Sequence, residues 1–245
     1  MKKKREDYKK CIALFDILGY KELIKRNSVN TLLSKLRKFN KEIPKITFEK
    51  KHPCKLMNIA GIKNKTILYS DSILIYSNGI TEDHFGNLCA ASMNLFGLSL
   101  QNGIPIRGAI TIGELYVEND KSLYFGKGFI RAYELANKQD WCGIIIDDKL
   151  NRNDYPHIKR CLDDDDFFCE YDVPMKDGEI KKFLCLDWVS GVIEEITSKD
   201  IKKSLYQNNK NLDWPAKRKI DATLQFFEYR KKKEANPDEN IEWKS

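Results

Sequence analysis

The feature that most constrains the fold is a pair of short apolar runs with only three residues between them. Residues 66–69 (Thr-Ile-Leu-Tyr) and 73–76 (Ile-Leu-Ile-Tyr) are rich in residues that favour β-strands, and Ser70-Asp71-Ser72 connects them. Because so short a connection leaves no room for a helix, the two runs are predicted to form a β-hairpin. Asp71 then lies in the turn, where its carboxylate can serve the turn itself or a ligand.

The order of the other patterns predicts an α+β fold. Residues 11–17 are apolar apart from Asp16 and are typical of a buried strand. Predicted helices cover residues 21–24, 81–100 and 129–137, and a further one begins at the candidate N-cap Ser28 and is ended by Pro44. Predicted strands cover residues 104–117, 124–125 and 143–146. Over residues 8–150 the order is β-α-α-β-β-α-β-β-α-β, which favours a sheet with helices covering one face.

The rest of the chain, residues 151–245, is predicted to be a C-terminal extension packed on the same domain. It contains strand patterns at 167–171 and 182–188, flanking a turn at 176–178, and an amphipathic helix at 214–233. No linker separates it from residues 8–150. Residues 47–64 are polar and without periodicity, so they are predicted to be irregular.

Composition excludes several classes of protein. The longest apolar stretches, such as residues 143–146, are far shorter than the ~20 residues of a membrane span, so no membrane association is expected. Seven cysteines without a C-x-x-C pair indicate a reducing, cytoplasmic setting. The basic first five residues are followed by charged rather than apolar ones, so export is not expected. The net charge of +7 fits either a polyanionic partner or a solvated lysine-rich surface.

Two carboxylates can converge at one end of the predicted sheet. Asp16 ends the first strand and Asp71 occupies the hairpin turn. Two carboxylates that lie close together repel each other unless a cation lies between them, and a hard divalent cation is the usual one. The helix that follows Ile17 would offer backbone N–H groups to metal-bound phosphates. The alternative is that Asp16 caps the helix and Asp71 only stabilises the turn.

Four stretches resemble the motifs of the class III nucleotidyl cyclases, in family order across about residues 10–150. Residues 15–20 (Phe-Asp-Ile-Leu-Gly-Tyr) resemble the family's F-D-I-x-G-F opening, and Ser70-Asp71 takes the place of its G-D hairpin turn. Residues 106–114 resemble its R-x-G-I-x-x-G strand. Phe125-Gly126, followed by a helix with Ala132, is similar to its W-G-D-x-V-N-x-A-x-R segment.

The resemblance implies a class III cyclase-like fold with a ferredoxin-like βααββαβ core, carried by residues 8–150. It implies two Mg²⁺ or Mn²⁺ ions per site and a homodimer with sites at the subunit interface. The metal ligands that it implies are Asp16, Ile17 and Asp71. The loop residues that it places beside the nucleotide are Leu18, Gly19 and Tyr20.

Departures from the family pattern point to pyrimidine nucleotides. The positions of the purine-selecting residues hold Ile67 and Leu123, which cannot make polar contacts with a purine edge. The family's transition-state Asn and Arg are replaced by Ile130 and Glu134. The segment Gly126-x-Gly128-x-x-x-Ala132-Tyr133-Glu134-Leu135, together with the strand at residues 106–114, resembles the pyrimidine cyclases of bacterial Pycsar anti-phage systems. Those enzymes convert UTP or CTP to a 3′,5′-cyclic nucleotide that activates a separate effector protein. UTP is the favoured substrate, although no residue separates uracil from cytosine.

The cationic role of the missing Arg is assigned to Arg131 and Lys127. A plain ion pair of Arg131 with Glu134, one helical turn away, is the alternative. Three other functions remain open at this stage: a degenerate cyclase-like domain that binds without turnover, an adenylate or guanylate cyclase with unusual base selection, and a nucleic-acid-binding protein. The strands lack the alternation of basic and aromatic residues that is typical of surfaces that bind single-stranded nucleic acids. No nucleic acid polymer is therefore expected as a partner.

Overall fold

The computed structural model describes residues 8–46, 63–150, 153–164, 167–191, 197–206 and 212–236. The strands are β1 (Lys9–Ile17), β2 (Lys65–Tyr69), β3 (Ser72–Tyr76), β4 (Ile106–Glu114), β5 (Tyr116–Glu118), β6 (Leu123–Phe125), β7 (Ile144–Ile146), β8 (Phe168–Pro174) and β9 (Ile180–Leu186). The α-helices are α1 (Tyr20–Arg26), α2 (Val29–Ile46), α3 (Glu82–Gln101), α4 (Lys127–Lys138), α5 (Lys159–Leu162), α6 (Trp188–Gly191), α7 (Ser198–Tyr206) and α8 (Trp214–Ala235).

The main sheet has seven strands in the order β2-β3-β1-β4-β7-β9-β8. Strand β1 is antiparallel to both of its neighbours, β3 and β4, whereas β4 and β7 are parallel. Strand β9 is antiparallel to β7 and to β8. The predicted α+β class is therefore confirmed, and the strands of the C-terminal extension continue the same mixed sheet.

The predicted hairpin is the β2–β3 pair, in which Tyr69 lies opposite Ser72. Its tight turn puts Ser70 in the left-handed region of backbone conformation, with φ at 52°. Strand β1 pairs with β3 so that Asp16 lies opposite Ser72, and it pairs with β4 so that Asp16 also lies opposite Arg107. The hairpin turn and the end of β1 are thus brought to one end of the sheet.

Helix α4 covers one face of β1 and β4 at very short range. A Cβ atom on Gly113 would lie 2.6 Å from the Cα of Gly128, and one on Gly128 would lie 2.7 Å from Ile12 Cδ1. Only glycine permits such a close approach of helix and strand. Since side chains alternate across a strand, Asp16 and Arg107 share the α4 face of the sheet with Ile12.

The opposite layer is built on aromatic side chains from both halves of the chain. Trp188 packs on Phe96 of α3, with ring centroids 4.7 Å apart, and on Phe226 of α8, at 5.7 Å. Phe226 in turn meets the ring of Trp141 edge-on at 5.0 Å. These contacts make α8 part of the hydrophobic core, which favours a C-terminal extension packed on the rest of the fold.

The predicted strand over residues 104–117 is wrong in its extent. Strand β4 ends at Glu114, opposite Lys9, and the N–H of the next residue, Leu115, donates to the Tyr8 carbonyl at 2.9 Å. Tyr116 instead pairs with Phe125 in a separate two-stranded sheet. The predicted irregular segment at 47–64 lies largely outside the described residues.

The other predicted bounds differ from the structure by a few residues only. The prediction that Pro44 ends the second helix is wrong, because α2 continues to Ile46. Helix α4 begins two residues earlier than predicted, directly after Gly126, and α8 continues to Ala235. The six cysteines in the described part of the chain are buried and form no disulfide. Among the described helices, none is long and apolar enough to cross a bilayer.

Candidate functional site

The structure brings Asp16 and Asp71 together at the end of β1. The N–H of Ile17 donates to the Asp71 carbonyl at 2.7 Å, which fixes the hairpin turn against the strand end. The pKa of Asp16 is raised, chiefly because burial disfavours its charged form, and the negative charge of Asp71 adds to the effect. The two carboxylates are therefore close enough to interact, as the sequence pattern predicts.

A buried arginine holds one oxygen of Asp16. Arg107, only 3% exposed, donates to Asp16 Oδ2 from Nε at 3.1 Å and from Nη2 at 2.7 Å. No hydrogen bond from any described residue reaches Asp16 Oδ1. The Arg107 charge works to lower the pKa of Asp16 but does not outweigh burial. This arrangement orients the carboxylate and leaves Oδ1 available to a cation.

Arg107 is itself fixed by the residues at the end of α4. Its Nη1 donates to the Gln139 carbonyl at 2.6 Å, and its Nη2 donates to Asn137 Oδ1 at 3.0 Å. Gln139 is fully buried and donates from Nε2 to the Gly108 carbonyl at 2.9 Å. Most of the guanidinium N–H groups are thus used inside the fold, so Arg107 acts mainly by positioning Asp16.

The C-terminal extension brings a second cation to the site. The N–H of Lys176, in the β8–β9 turn, donates to the Lys138 carbonyl at 2.8 Å, and the N–H of Asp140 donates to the Pro174 carbonyl at 2.9 Å. The Lys176 charge helps to lower the pKa of Asp16, so the electrostatic influence of this turn reaches that carboxylate. Partial burial lowers the pKa of Lys176 itself, and the neighbouring Arg107 charge adds to this.

The sequence predicts the turn at 176–178 but does not indicate that Lys176 belongs to the site. The turn is confirmed by Gly178, whose φ is 89°. A lysine in a predicted hairpin turn was the one available signal. That signal could not reveal that the hairpin docks beside β1, because the strand order joins β7 to β9 across a long stretch of sequence.

The other predicted ligands near Asp16 are backbone groups. In an extended strand the N–H and C=O of one residue point to the same side, so the Ile17 carbonyl lies on the edge that faces Asp71. The N–H of Leu18 donates to the Pro105 carbonyl at 2.8 Å. Gly19 adopts a left-handed conformation before α1, so amides that could meet a phosphate begin at Gly19 and Tyr20.

Ile67 lies on the same face of the sheet as Asp16. It is opposite Leu74, which in turn is opposite Leu14, two residues before Asp16 on β1. Its side chain is half-buried. The structure therefore places this predicted base-contacting residue on the strand next to the hairpin turn, with an apolar surface to offer.

Two predicted site residues lie away from the carboxylates of the same chain. Lys127 begins α4 beside Gly113, six residues further along β4 than Arg107, or about 20 Å away. Leu123 is exposed on β6, immediately before α4. Both lie too far away to contact a ligand bound beside Asp16 of their own chain.

Arg131 is engaged in ion pairs that the sequence pattern did not indicate. It donates to Asp147 Oδ1 from Nη2 at 2.7 Å and from Nε at 3.1 Å, and it also pairs with Asp148. Burial works to raise the pKa of Asp147, but hydrogen bonds from Arg131 and Thr111 outweigh it and the pKa is lowered. The partners of Arg131 are therefore these acids at the end of β7, and not Glu134.

The donor set at the end of β1 fits a hard divalent cation bound together with a ligand. It comprises Asp16 Oδ1, the Asp71 carboxylate and the Ile17 carbonyl, all of them oxygen atoms. Mg²⁺ and Mn²⁺ accept one or two carboxylates and complete their coordination with water and phosphate oxygens. Among the described residues there is no cluster of three or more His, Cys, Asp or Glu side chains, so the fold offers no closed metal cage.

No protein-family model matches the chain, and a search of curated proteins finds no similar sequence.

Proposed function

We propose that the protein is a nucleotidyl cyclase that converts UTP, or CTP, to the 3′,5′-cyclic nucleotide and pyrophosphate. The observation that carries this proposal is the convergence of Asp16, Asp71 and the Ile17 carbonyl at one strand end, with Arg107 holding Asp16. In the resembling enzymes the product is a second messenger in antiviral defence, and the same role is proposed here with a separate effector protein.

The strand order supports a class III cyclase-like core. Strands β2-β3-β1-β4 lie in that order, with α1 and α2 between β1 and β2 and with α3 between β3 and β4. This arrangement is that of a ferredoxin-like βαββαβ unit with one added helix. It puts the first strand in the centre and the hairpin turn beside its end, as a carboxylate pair of this kind requires.

The chain's own residues can perform distinct parts of the reaction. The ribose 3′-oxygen loses a proton and attacks the α-phosphorus, and pyrophosphate leaves. Mg²⁺ or Mn²⁺, held by Asp16, Ile17 and Asp71, would supply the charge that makes the hydroxyl more acidic and neutralises the phosphates. Arg107 orients Asp16. The exposed Lys176 ammonium is placed to bind an oxygen of the leaving pyrophosphate.

Base selection in the proposed enzyme rests on apolar contacts. Ile67 lies on the sheet face of Asp16, and Leu123 is exposed in front of α4. Neither side chain can donate to or accept from a purine edge, which favours a smaller pyrimidine ring packed on apolar surface. UTP is proposed ahead of CTP.

A homodimer would complete the site. The outer side of α4 exposes large apolar side chains, with Ile130 56% and Tyr133 50% exposed. The pKa of Tyr69 is raised, mainly by burial and further by Asp71 and Tyr133, so this face extends to the hairpin turn. A two-fold contact through such a face could bring Lys127 and Leu123 of one chain to the carboxylates of its partner.

A second candidate function is nucleotide binding without turnover. The ion pairs of Arg131 with Asp147 and Asp148 favour it, because they occupy the cation that the sequence assigns to the transition state. This candidate keeps the metal and phosphate contacts and predicts affinity without product.

The test is incubation of the purified protein with each of the four ribonucleoside triphosphates and Mn²⁺, with products identified by mass spectrometry. We expect cyclic UMP, or cyclic CMP, from the wild type and none from the Asp71→Asn variant. Cyclic AMP or GMP alone would contradict the proposed base selection. Binding of UTP with no cyclic product would favour the second candidate.

A further inference from the structure

The carboxylate site has an amide neighbour in the same chain that no motif indicates. Asn137 Oδ1 accepts from Arg107 Nη2 at 3.0 Å, and the same nitrogen donates to Asp16 Oδ2 at 2.7 Å. Because the two oxygens share one donor atom, they lie within about 6 Å of each other. Asn137 is thus beside the carboxylate that the proposed function assigns to the metal.

The orientation of this amide follows from chemistry. A guanidinium group only donates hydrogen bonds, so the oxygen of Asn137 must face Arg107 and Nδ2 must be turned away from it. Within the part of the chain that the structure describes, no acceptor is hydrogen-bonded to Asn137 Nδ2. The side chain is half-buried, so it is held in place by Arg107 and is still reachable by a ligand.

The surroundings of Asn137 make it a fixed donor rather than a mobile one. The next two residues anchor other parts of the site, since the Lys138 carbonyl accepts from the N–H of Lys176 and the Gln139 carbonyl accepts from Arg107. Arg107 donates most of its N–H groups to Asp16, Asn137 and Gln139. Asn137 is therefore held beside Asp16, next to a guanidinium group whose N–H groups are mostly used inside the fold.

We propose that Asn137 Nδ2 donates a hydrogen bond to a phosphate oxygen of the bound nucleoside triphosphate. Asn137 is then a catalytic residue that touches the substrate, and its oxygen is kept in place by Arg107. This role rests on the proposed function, because it requires a triphosphate at the carboxylate site.

Two substitutions separate the donor role from mere support of Arg107. Asn137→Asp keeps an oxygen acceptor for Arg107 but loses the donor and adds a negative charge towards the phosphates. Asn137→Ala loses both functions. A donor role predicts that affinity falls from Asn to Ala and further to Asp, whereas a supporting role predicts that Asp equals or exceeds Asn and that only Ala is impaired.

The measurements are the affinity for inorganic triphosphate with Mg²⁺ and the kcat/KM for UTP. We expect Asn137→Ala to lose about tenfold to a hundredfold in both, as is usual for a hydrogen bond to a charged group, and Asn137→Asp to lose more. Gln225→Ala, an exposed substitution on α8, is the control. Thermal unfolding verifies that each variant is folded.

Wild-type affinity for triphosphate in Asn137→Asp would overturn the donor role. A wild-type protein that binds no triphosphate at all would overturn both this role and the proposed function. Triphosphate binding by the wild type distinguishes the two failures, because it is retained in the first and absent in the second. Binding without cyclisation would still support the donor role if the variants follow the expected order.

Discussion

At the scale of single residues, the charged form of Asp16 is less stable in the folded protein than it is in water. Burial raises its pKa more than Arg107 lowers it, and Asp71 adds a like charge. The folded protein therefore holds its proton at pH values where the unfolded chain has lost it. Stability contributed by the protonated form is present below the ordinary pKa of Asp and is lost as the pH rises through the raised value. A site that carries this cost is expected to regain stability when a cation binds.

We expect Asp16→Asn to remove the cost of burying a charged carboxylate and, with it, metal binding and cyclase activity. In EDTA, the variant should be as stable as the wild type below the ordinary pKa of Asp. At neutral pH it should be equally or more stable, within about 1 kcal/mol, because the amide still accepts from Arg107 without a buried charge. Urea unfolding at the two pH values measures this.

With Mn²⁺ and UTP present, only the wild type should gain stability. A large loss of stability in the metal-free variant would mean that Asp16 is a structural partner of Arg107 and that its charge is not held for a cation.

At the scale of secondary-structure elements, α8 is tied to the sheet by a buried ion pair. Asp187 follows β9 and is fully buried, and Arg230 of α8 donates to its Oδ2 from Nε at 2.8 Å. Burial works to lower the pKa of Arg230, but the charge and hydrogen bond of Asp187, together with Cys169 and Glu234, outweigh it and the pKa is raised. The hairpin that carries Lys176 is part of the same strand pair, so this contact links the extension to the site.

We expect Arg230→Met to lower the free energy of unfolding by about 3 kcal/mol or more, because it leaves Asp187 charged, buried and without its main partner. Lys231→Met is the matched control on the same helix. Among the described residues, Lys231 pairs with Glu234 alone and at a half-exposed position, so its loss should cost less than about 0.5 kcal/mol. Equal losses in urea titrations of the two variants would contradict a structural role for the buried pair.

The elements themselves were largely predictable from local sequence, and the site was predictable only in part. The β2–β3 hairpin and α3 follow from strand-forming runs and from the Thr81 N-cap, which act over a few residues. Asp16 and Asp71 could be identified because each ends a recognisable element.

Arg107, Asn137 and Lys176 could not be assigned in the same way. The Asp16–Arg107 pair joins residues 91 positions apart, and it exists only because of the register between β1 and β4. Asn137 depends on where α4 ends, and Lys176 depends on a strand order that no local pattern encodes.

At the scale of the whole molecule, one chain leaves an apolar face beside an incomplete site. Ile130 and Tyr133 lie one turn apart on the exposed side of α4, and Phe125 precedes the helix. Lys127 is about 20 Å from the carboxylates of its own chain. Both observations are explained if two copies pack through this face.

We expect Ile130→Glu to produce a folded monomer without activity, because it places a charge in the proposed interface. Val29→Glu is the control, since Val29 is 80% exposed on α2, whose contacts are with α3 on the other side of the sheet. Light scattering after size-exclusion chromatography gives the mass. A dimeric Ile130→Glu, or a wild type that is monomeric and active, would contradict the shared site.

The most direct test of the central claim is a Mn²⁺ titration in the presence of UTP, followed by electron paramagnetic resonance of the free ion. The account predicts that the wild type and Asp221→Asn, an exposed carboxylate on α8, take up Mn²⁺ equally, and that Asp16→Asn and Asp71→Asn each lose most of this uptake. Equal uptake by all four proteins would show that the paired carboxylates do not hold the metal and would contradict the account.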